Sequence, residues 1–150
     1  MVHGRERPFV GAFINIDLEA VGNWAERRGL AYTSYTDLAA RPEVYDLIQR
    51  EITRVNASLA ADPQMAGAQI RRFLILHKEL DPDDGELTRT RKVRRRFVAE
   101  KYADLVEALY STDDRVTIEA QVVFEDGRSG TLKADLLIRD VAPEAPVAVA

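Results

Sequence analysis

The spacing of apolar residues changes along the chain, and this change limits the possible folds more than any other sequence feature. From Val44 to Leu59 apolar residues recur with a period near 3.6, which predicts an amphipathic helix ending at the Asp62-Pro63 break. From Val116 to Ile138 the period is two on either side of the turn Glu125–Gly130, which predicts a β-hairpin. The chain should therefore contain helices and paired strands in separate segments.

Further elements follow from local patterns. Two mostly apolar runs, Phe9–Ile16 and Ile70–His77, predict buried strands. A helix is expected from Asp17, which can cap it, through Arg28, with Gly29 as its left-handed end. The apolar residues from Val93 onward predict another helix that ends near Tyr110.

These elements predict an α+β fold. We expect a small two-layer domain with a short, mainly antiparallel sheet flanked by helices, plus a C-terminal β-hairpin. With 150 residues, 46% of them hydrophobic, the chain has enough apolar surface for one ordinary core. The expected boundaries are a domain over 1–110 with its first strand cut short, the hairpin over 111–140, and a disordered Pro- and Ala-rich tail over 141–150.

Charge is distributed unevenly. The formal net charge is −4, but the segment from Thr88 to Tyr102 carries seven basic residues against Glu100, which makes it +6 and the remainder −10. Several of these cations fall at the start of the helix predicted from Val93, where they oppose the helix dipole. This placement suggests a site for an anion, but from the residues alone a solvated charged face is the favoured interpretation.

Most kinds of catalytic or metal site are excluded by composition and spacing. There is no Cys, and His3 and His77 lack metal-ligand spacing. Phosphate-binding and nucleophile-elbow motifs are absent, and the acidic run Asp81–Glu86 lacks the spacing of a calcium loop, so we expect no metal site. Without a secretory signal or a long apolar run, the chain is expected to be soluble and cytoplasmic, with peripheral contact with a membrane as an option.

A family resemblance emerges at the basic segment. The run RFLILHKELDPDDGELTRTRKVRRR over 72–96, followed by 98–102 and 105–110, resembles the last part of bacterial long-chain acyl-CoA synthetases. Those enzymes belong to the AMP-forming, adenylate-forming superfamily. Shorter matches upstream, between 4 and 56, extend the resemblance over nearly all of 1–110.

The resemblance implies a small, mobile C-terminal lid domain that closes over a large N-terminal domain holding ATP and the acyl group. The family's catalytic lysine falls on Lys92, and the usual preceding glycine is replaced by Arg91. An ammonium group there can neutralise charge that develops between a carboxylate and the α-phosphate of ATP. Arg94 and Arg96 would add a general attraction toward the phosphates of ATP or CoA.

The complete enzyme is thus expected to use ATP, Mg²⁺ and CoA, whereas the isolated chain is expected to bind no cofactor. Its implied partners are a large adenylation domain, in cis or in trans, and a fatty acid or acyl-adenylate. Because reactants must be held in place by that large domain, we expect the chain alone to be inactive.

Two other functions remain as alternatives. The chain could be a non-catalytic remnant or a regulatory module that keeps the fold and binds a partner. A nucleic-acid binder using Arg89–Lys101 is less favoured, because the body is acidic and no binding motif is present. The hairpin after Ser111 departs from the family's usual ending and could either extend the sheet or form a partner surface.

Overall fold

The computed structural model describes residues 1–123 and 126–146. Its strands form one five-stranded sheet in the order β1-β2-β3-β5-β4. The strands are β1 (Val2–His3), β2 (Val10–Ile14), β3 (Ile70–Ile75), β4 (Arg115–Val123) and β5 (Ser129–Asp140). Strands β2 and β3 pair in parallel, and the other neighbouring pairs are antiparallel. The mainly antiparallel sheet and the α+β class are therefore confirmed.

Five α-helices accompany the sheet in the described residues. They are α1 (Leu18–Arg27), α2 (Tyr35–Ala39), α3 (Pro42–Ala60), α4 (Arg95–Lys101) and α5 (Ala103–Leu109). Asp17 caps α1 by accepting a hydrogen bond from the amide of Ala20, and Gly29 follows the helix with a φ of 69°. Within residues 1–123 and 126–146, no helix is both long enough and apolar enough to cross a membrane.

The helices cover both faces of the sheet, which refines the expected two-layer arrangement. Strand β3 shows why, because its buried side chains alternate between two apolar clusters. Phe73 and Ile75 pack with α1, α2 and α3, whereas Leu74 packs with α4 and α5. A strand covered on both faces is nearly uniformly apolar, so its sequence does not show how many helical layers it supports.

The helix expected from Val93 to Tyr110 is divided in two, which corrects the sequence prediction. Helix α4 begins at Arg95 because Val93 pairs with Leu87 in an isolated bridge. Tyr102, with φ −107° and ψ 32°, separates α4 from α5. Its side chain is buried and its hydroxyl donates a hydrogen bond to Glu86, so a tertiary contact coincides with the break.

The C-terminal hairpin is part of the sheet. Strand β5 pairs with β3 at three positions, from Arg72 opposite Asp140 to Leu74 opposite Ile138. The buried guanidinium of Arg72 forms an ion pair with Asp140, with Nε and Oδ1 2.9 Å apart. It also donates to the carbonyls of Ala108, Leu109, Ser111 and Asp113, at the end of α5 and before β4. Arg72 thus joins the hairpin to the rest of the domain.

The segment after β5 begins with ordered contacts, where we expected the disordered tail over 141–150. Val141 is buried and its amide donates to the carbonyl of Arg71. The amide of Glu144 donates to the Gln69 side chain at 2.7 Å. Residues 147–150 of that tail, and Glu125 of the hairpin turn, lie outside the described residues. The domain boundaries stay predictions.

Burial leads to a stability prediction for two core positions. Leu105 is 1% exposed, and Leu105→Ala should lower the free energy of unfolding by ~2 to 5 kcal/mol through lost contacts and a residual cavity. Ile48 on α3 is half-buried, so Ile48→Ala should cost about 1 to 2 kcal/mol. Urea unfolding measures both values. Val55→Ala, at an exposed site on α3, should change stability by less than about 0.5 kcal/mol. A larger loss for Ile48→Ala than for Leu105→Ala would contradict this packing.

Candidate functional site

The basic segment begins in a loop that connects β3 to α4, and a closed turn fixes the tip of this loop. The amide of Arg91 donates to the carbonyl of Thr88, and the amide of Thr88 donates to the carbonyl of Lys92, both at 2.8 Å. The Thr88 hydroxyl accepts from the amide of Lys92 at 3.0 Å. The Leu87–Val93 bridge lies directly beside this turn. The backbone of Lys92 is therefore held by hydrogen bonds on both its amide and its carbonyl.

Arg91 adopts a left-handed backbone conformation, with a φ of 62°. Residues with a Cβ atom adopt this conformation at a cost, whereas glycine adopts it readily. The position is the one at which the family resemblance implies a glycine. The turn before Lys92 thus keeps the geometry that glycine favours, although the residue is an arginine.

The basic side chains near the turn divide into paired and unpaired groups. Arg94 donates to the carbonyl of Gly85 at 2.8 Å and lies over the Phe97 ring. Arg96 pairs with Glu100 at 3.0 Å, one helical turn away. Lys92 is exposed, and its ammonium forms no hydrogen bond or ion pair with any residue in 1–123 or 126–146. Of the three sequence-predicted site residues, Lys92 is thus the one whose charged group has no hydrogen-bond or ion-pair partner in the described residues.

Glu86 lies at the base of the loop and is the most buried carboxylate of this region, with 0% of the residue exposed. Its Oε1 accepts hydrogen bonds from the Lys78 ammonium at 2.8 Å and from the Asp81 amide at 3.1 Å. Its Oε2 accepts from the Lys101 ammonium at 3.1 Å and from the Tyr102 hydroxyl. We call these four side chains, from Lys78, Glu86, Lys101 and Tyr102, the Glu86 cluster.

The cluster shifts the pKa values of its members. Burial raises the pKa of the Glu86 carboxyl, but hydrogen bonds from Lys78, Tyr102 and Lys101 outweigh burial and place it below the ordinary value of 4.5. Burial and the neighbouring Glu86 raise the pKa of the Tyr102 hydroxyl. Burial lowers the pKa of Lys78, yet hydrogen bonds to Asp84 and Glu86 make the net shift upward. At neutral pH the Glu86 carboxyl is therefore ionised, the Lys78 ammonium is charged and the Tyr102 phenol is neutral.

Sequence reasoning missed the Glu86 cluster. In the sequence, Glu86 is one member of an acidic run without the spacing of a calcium loop, and Lys101 is one of the seven basic residues between Thr88 and Tyr102. The neighbouring acids Asp81, Asp83 and Asp84 are exposed, so no local pattern distinguishes the buried member of the run. The described residues contain no group of three or more His, Cys, Asp or Glu placed to hold a metal ion.

Cavities do not coincide with Lys92. A groove of about 910 Å³ lies between α1 and α3, with Trp24 and Arg50 among its lining residues. A smaller cavity of about 320 Å³ lies beside the loop and is lined by apolar side chains such as Phe13, Leu76 and Val93. In the described part of the chain, Lys92 therefore lies on an open surface outside both cavities, where it can meet a group presented by another domain.

Comparison with known proteins found relatives of the chain as a whole. The chain is 38% identical over 114 residues to the long-chain-fatty-acid–CoA ligase FadD15 of Mycobacterium tuberculosis. It is 33% identical to the long-chain-fatty-acid–CoA ligases ACSBG1 of Macaca fascicularis and Bos taurus, over 97 and 98 residues. The chain is a homologue of long-chain fatty-acid–CoA ligases.

The similarity to these ligases covers a small part of each relative. The aligned region is 75% of this chain but 18% of FadD15, and 64% of this chain but 13% of the two ACSBG1 proteins. This coverage is consistent with a C-terminal domain of an acyl-CoA synthetase. No family model matches the chain, and the search of solved structures found no match.

The left-handed conformation at Arg91 leads to a prediction that separates strain from charge. Arg91→Gly should raise the free energy of unfolding by about 0.5 to 1 kcal/mol, because glycine adopts a positive φ without steric cost. Arg89→Gly removes the same charge from the same turn at a residue without a positive φ, so it should give no gain. Urea unfolding of the two variants tests this. Equal effects would show that Arg91 is not strained.

Glu86 also predicts a pH dependence of stability. Because its pKa is lower in the folded than in the unfolded chain, the carboxylate stabilises the fold above pH 4.5, and this stabilisation is lost as the pH falls through the folded pKa. Glu86→Gln should therefore cost about 3 kcal/mol at pH 7. The difference from wild type should be smaller at pH 3, because the Glu86 carboxyl of the unfolded chain is then protonated and the folded carboxylate loses its advantage. Urea unfolding at the two pH values measures this, and a difference independent of pH would exclude an ionised Glu86.

Proposed function

We propose that the chain serves as the C-terminal lid domain of a long-chain fatty-acid–CoA ligase and supplies Lys92 for acyl adenylation. The observation that carries this proposal is the unpaired ammonium of Lys92 on a turn whose backbone is fixed. The neighbouring Arg94 and Arg96 have partners within the chain, which makes Lys92 the better candidate for contact with a substrate. The homology to long-chain fatty-acid–CoA ligases supports fatty-acid activation as the reaction.

The chemistry suits a lysine at this place. In adenylation, a fatty-acid carboxylate oxygen bonds to the α-phosphorus of ATP, and the bond from that phosphorus to the bridging oxygen breaks as pyrophosphate leaves. Negative charge gathers around the α-phosphate in the transition state. An ammonium that is not neutralised by a neighbouring acid can stabilise this charge. In the second step the CoA thiol attacks the acyl carbon and AMP leaves, so less charge develops near the lysine.

The residues of the chain fit a polyanionic nucleotide but not a complete nucleotide site. Arg89, Arg91, Lys92 and Arg95 are exposed and have no ion-pair partner in the described residues. They can attract phosphate groups of ATP or CoA. A pocket for the adenine base and for Mg²⁺ would belong to the large adenylation domain, which we propose as the partner in cis or in trans. Reaction by the chain alone would lack the positioning that this domain provides.

The proposal is tested by pyrophosphate release. The 150-residue chain is incubated with ATP, Mg²⁺ and a long-chain fatty acid, with and without the folded large domain of a related ligase. Activity is expected only with the large domain. Lys92→Ala should then lower the rate of adenylate formation by at least 100-fold, and thioester formation from preformed acyl-adenylate by less than threefold. Arg89→Ala removes one positive charge from the same turn and is the matched control, with an expected loss of less than threefold.

Other outcomes decide against the proposal. Activity of the chain alone would overturn the lid function. Equal losses for Lys92→Ala and Arg89→Ala would indicate general charge attraction in place of a specific lysine. No activity with a folded large domain would favour the alternative of a non-catalytic remnant or a regulatory module.

A further inference from the structure

Glu86 is a buried charge that the proposed chemistry does not use. Burying a carboxylate is costly, and a buried ion pair often stabilises a fold no better than apolar residues of similar size. The carboxylate of Glu86 is completely buried and accepts four hydrogen bonds. Stability alone does not explain why an ionic cluster lies at the base of the loop. A role in fixing the orientation of the loop does explain it.

The contacts of Glu86 join three separate parts of the chain. Lys78 follows β3, Asp81 lies in the loop, and Lys101 and Tyr102 lie at the end of α4. One carboxylate thus fixes the loop relative to both the sheet and the helix. Each hydrogen bond has a direction, so the cluster defines the orientation of the loop more narrowly than an apolar contact would.

The backbone of Glu86 is fixed as well. Its amide donates to the carbonyl of Asp81 at 3.1 Å, and its carbonyl accepts from the amide of Arg94 at 2.9 Å. The next pair along these two segments is the Leu87–Val93 bridge, and the turn from Thr88 to Lys92 follows directly. The position of the Lys92 backbone is therefore set by a short ladder of contacts that starts at Glu86.

We propose that Glu86 is a positioning residue for Lys92: its buried carboxylate holds the loop over 81–94 in the orientation from which Lys92 reaches the reacting phosphate. This inference rests on the proposed function. A fixed loop removes much of the entropy that would otherwise be lost when the lysine meets the transition state. Loss of Glu86 should therefore slow adenylation and leave the thioester step largely unchanged.

The first measurement is loop order in the isolated chain. Amide hydrogen exchange is compared for wild type, Glu86→Gln and Glu100→Gln. Glu100 is the matched control, because it is an exposed acid on α4 that pairs only with Arg96 in the described residues. Glu86→Gln should speed exchange of the Lys92 and Arg94 amides at least tenfold through local opening, which dilute urea does not accelerate, whereas the β3 amides should gain only the exchange that follows from the lower global stability. Glu100→Gln should leave all of these amides within twofold of wild type.

The second measurement is the split between the two half-reactions with the large domain present. Glu86→Gln should lower kcat for adenylate formation at least tenfold, with thioester formation from preformed adenylate within threefold of wild type. A merely structural role would lower both rates together. Tyr102→Phe removes one hydrogen bond from the carboxylate and leaves the ring in the core, so it should give an intermediate loss. If circular dichroism shows that Glu86→Gln does not fold, the two half-reactions are compared in Tyr102→Phe instead.

The outcomes separate this inference from the proposed function. If Lys92→Ala abolishes adenylation but folded Glu86→Gln keeps the wild-type rate or an ordered loop, the positioning role is overturned and the proposed function stands. If Lys92→Ala has no effect, the proposed function fails and the positioning role for catalysis fails with it. Hydrogen exchange in Glu86→Gln then still shows whether the carboxylate holds the loop. Equal loss of both half-reactions in Tyr102→Phe would also count against positioning.

Discussion

The buried strand β3 is the element on which the rest of the structure depends. It pairs with β2 on one side and with β5 on the other, and its side chains supply both apolar clusters. Arg72 within it also ties the end of α5 to the hairpin through a buried guanidinium. A strand with partners on both edges and both faces has little freedom to shift. The loop that follows β3 therefore begins at a fixed position.

The loop after β3 is anchored by a buried charge, the carboxylate of Glu86. Long loops normally lie on the surface and move more than the elements they connect. Here a buried carboxylate anchors the loop in addition to the apolar contact of Leu80 with the core, and Lys78, Lys101 and Tyr102 bind that carboxylate. The result is an exposed lysine side chain on a backbone that is held by hydrogen bonds.

The C-terminal hairpin joins the sheet at the edge of β3 that is opposite β2. Strand β5 covers the edge of β3 that would otherwise present unpaired backbone groups. Arg72 then satisfies carbonyls at the end of α5 and before β4, where the helix leaves them without partners. The hairpin is thus joined to α5 and β3 by polar contacts of one side chain as well as by strand pairing.

The sequence by itself determined the elements whose signals are local: the 3.6-residue period of α3, the Asp17 cap and Gly29 end of α1, and the alternation of the hairpin. Residue order also predicted the resemblance to long-chain acyl-CoA synthetases, which the homology confirms, whereas Lys92 as the site residue stays a prediction. Only the tertiary structure decided that helices cover both faces, that Tyr102 divides the last helix, and that Glu86 is buried. These features depend on contacts between residues far apart in the chain. A local pattern cannot encode them, because an acid in a turn looks the same whether water or two lysines surround it.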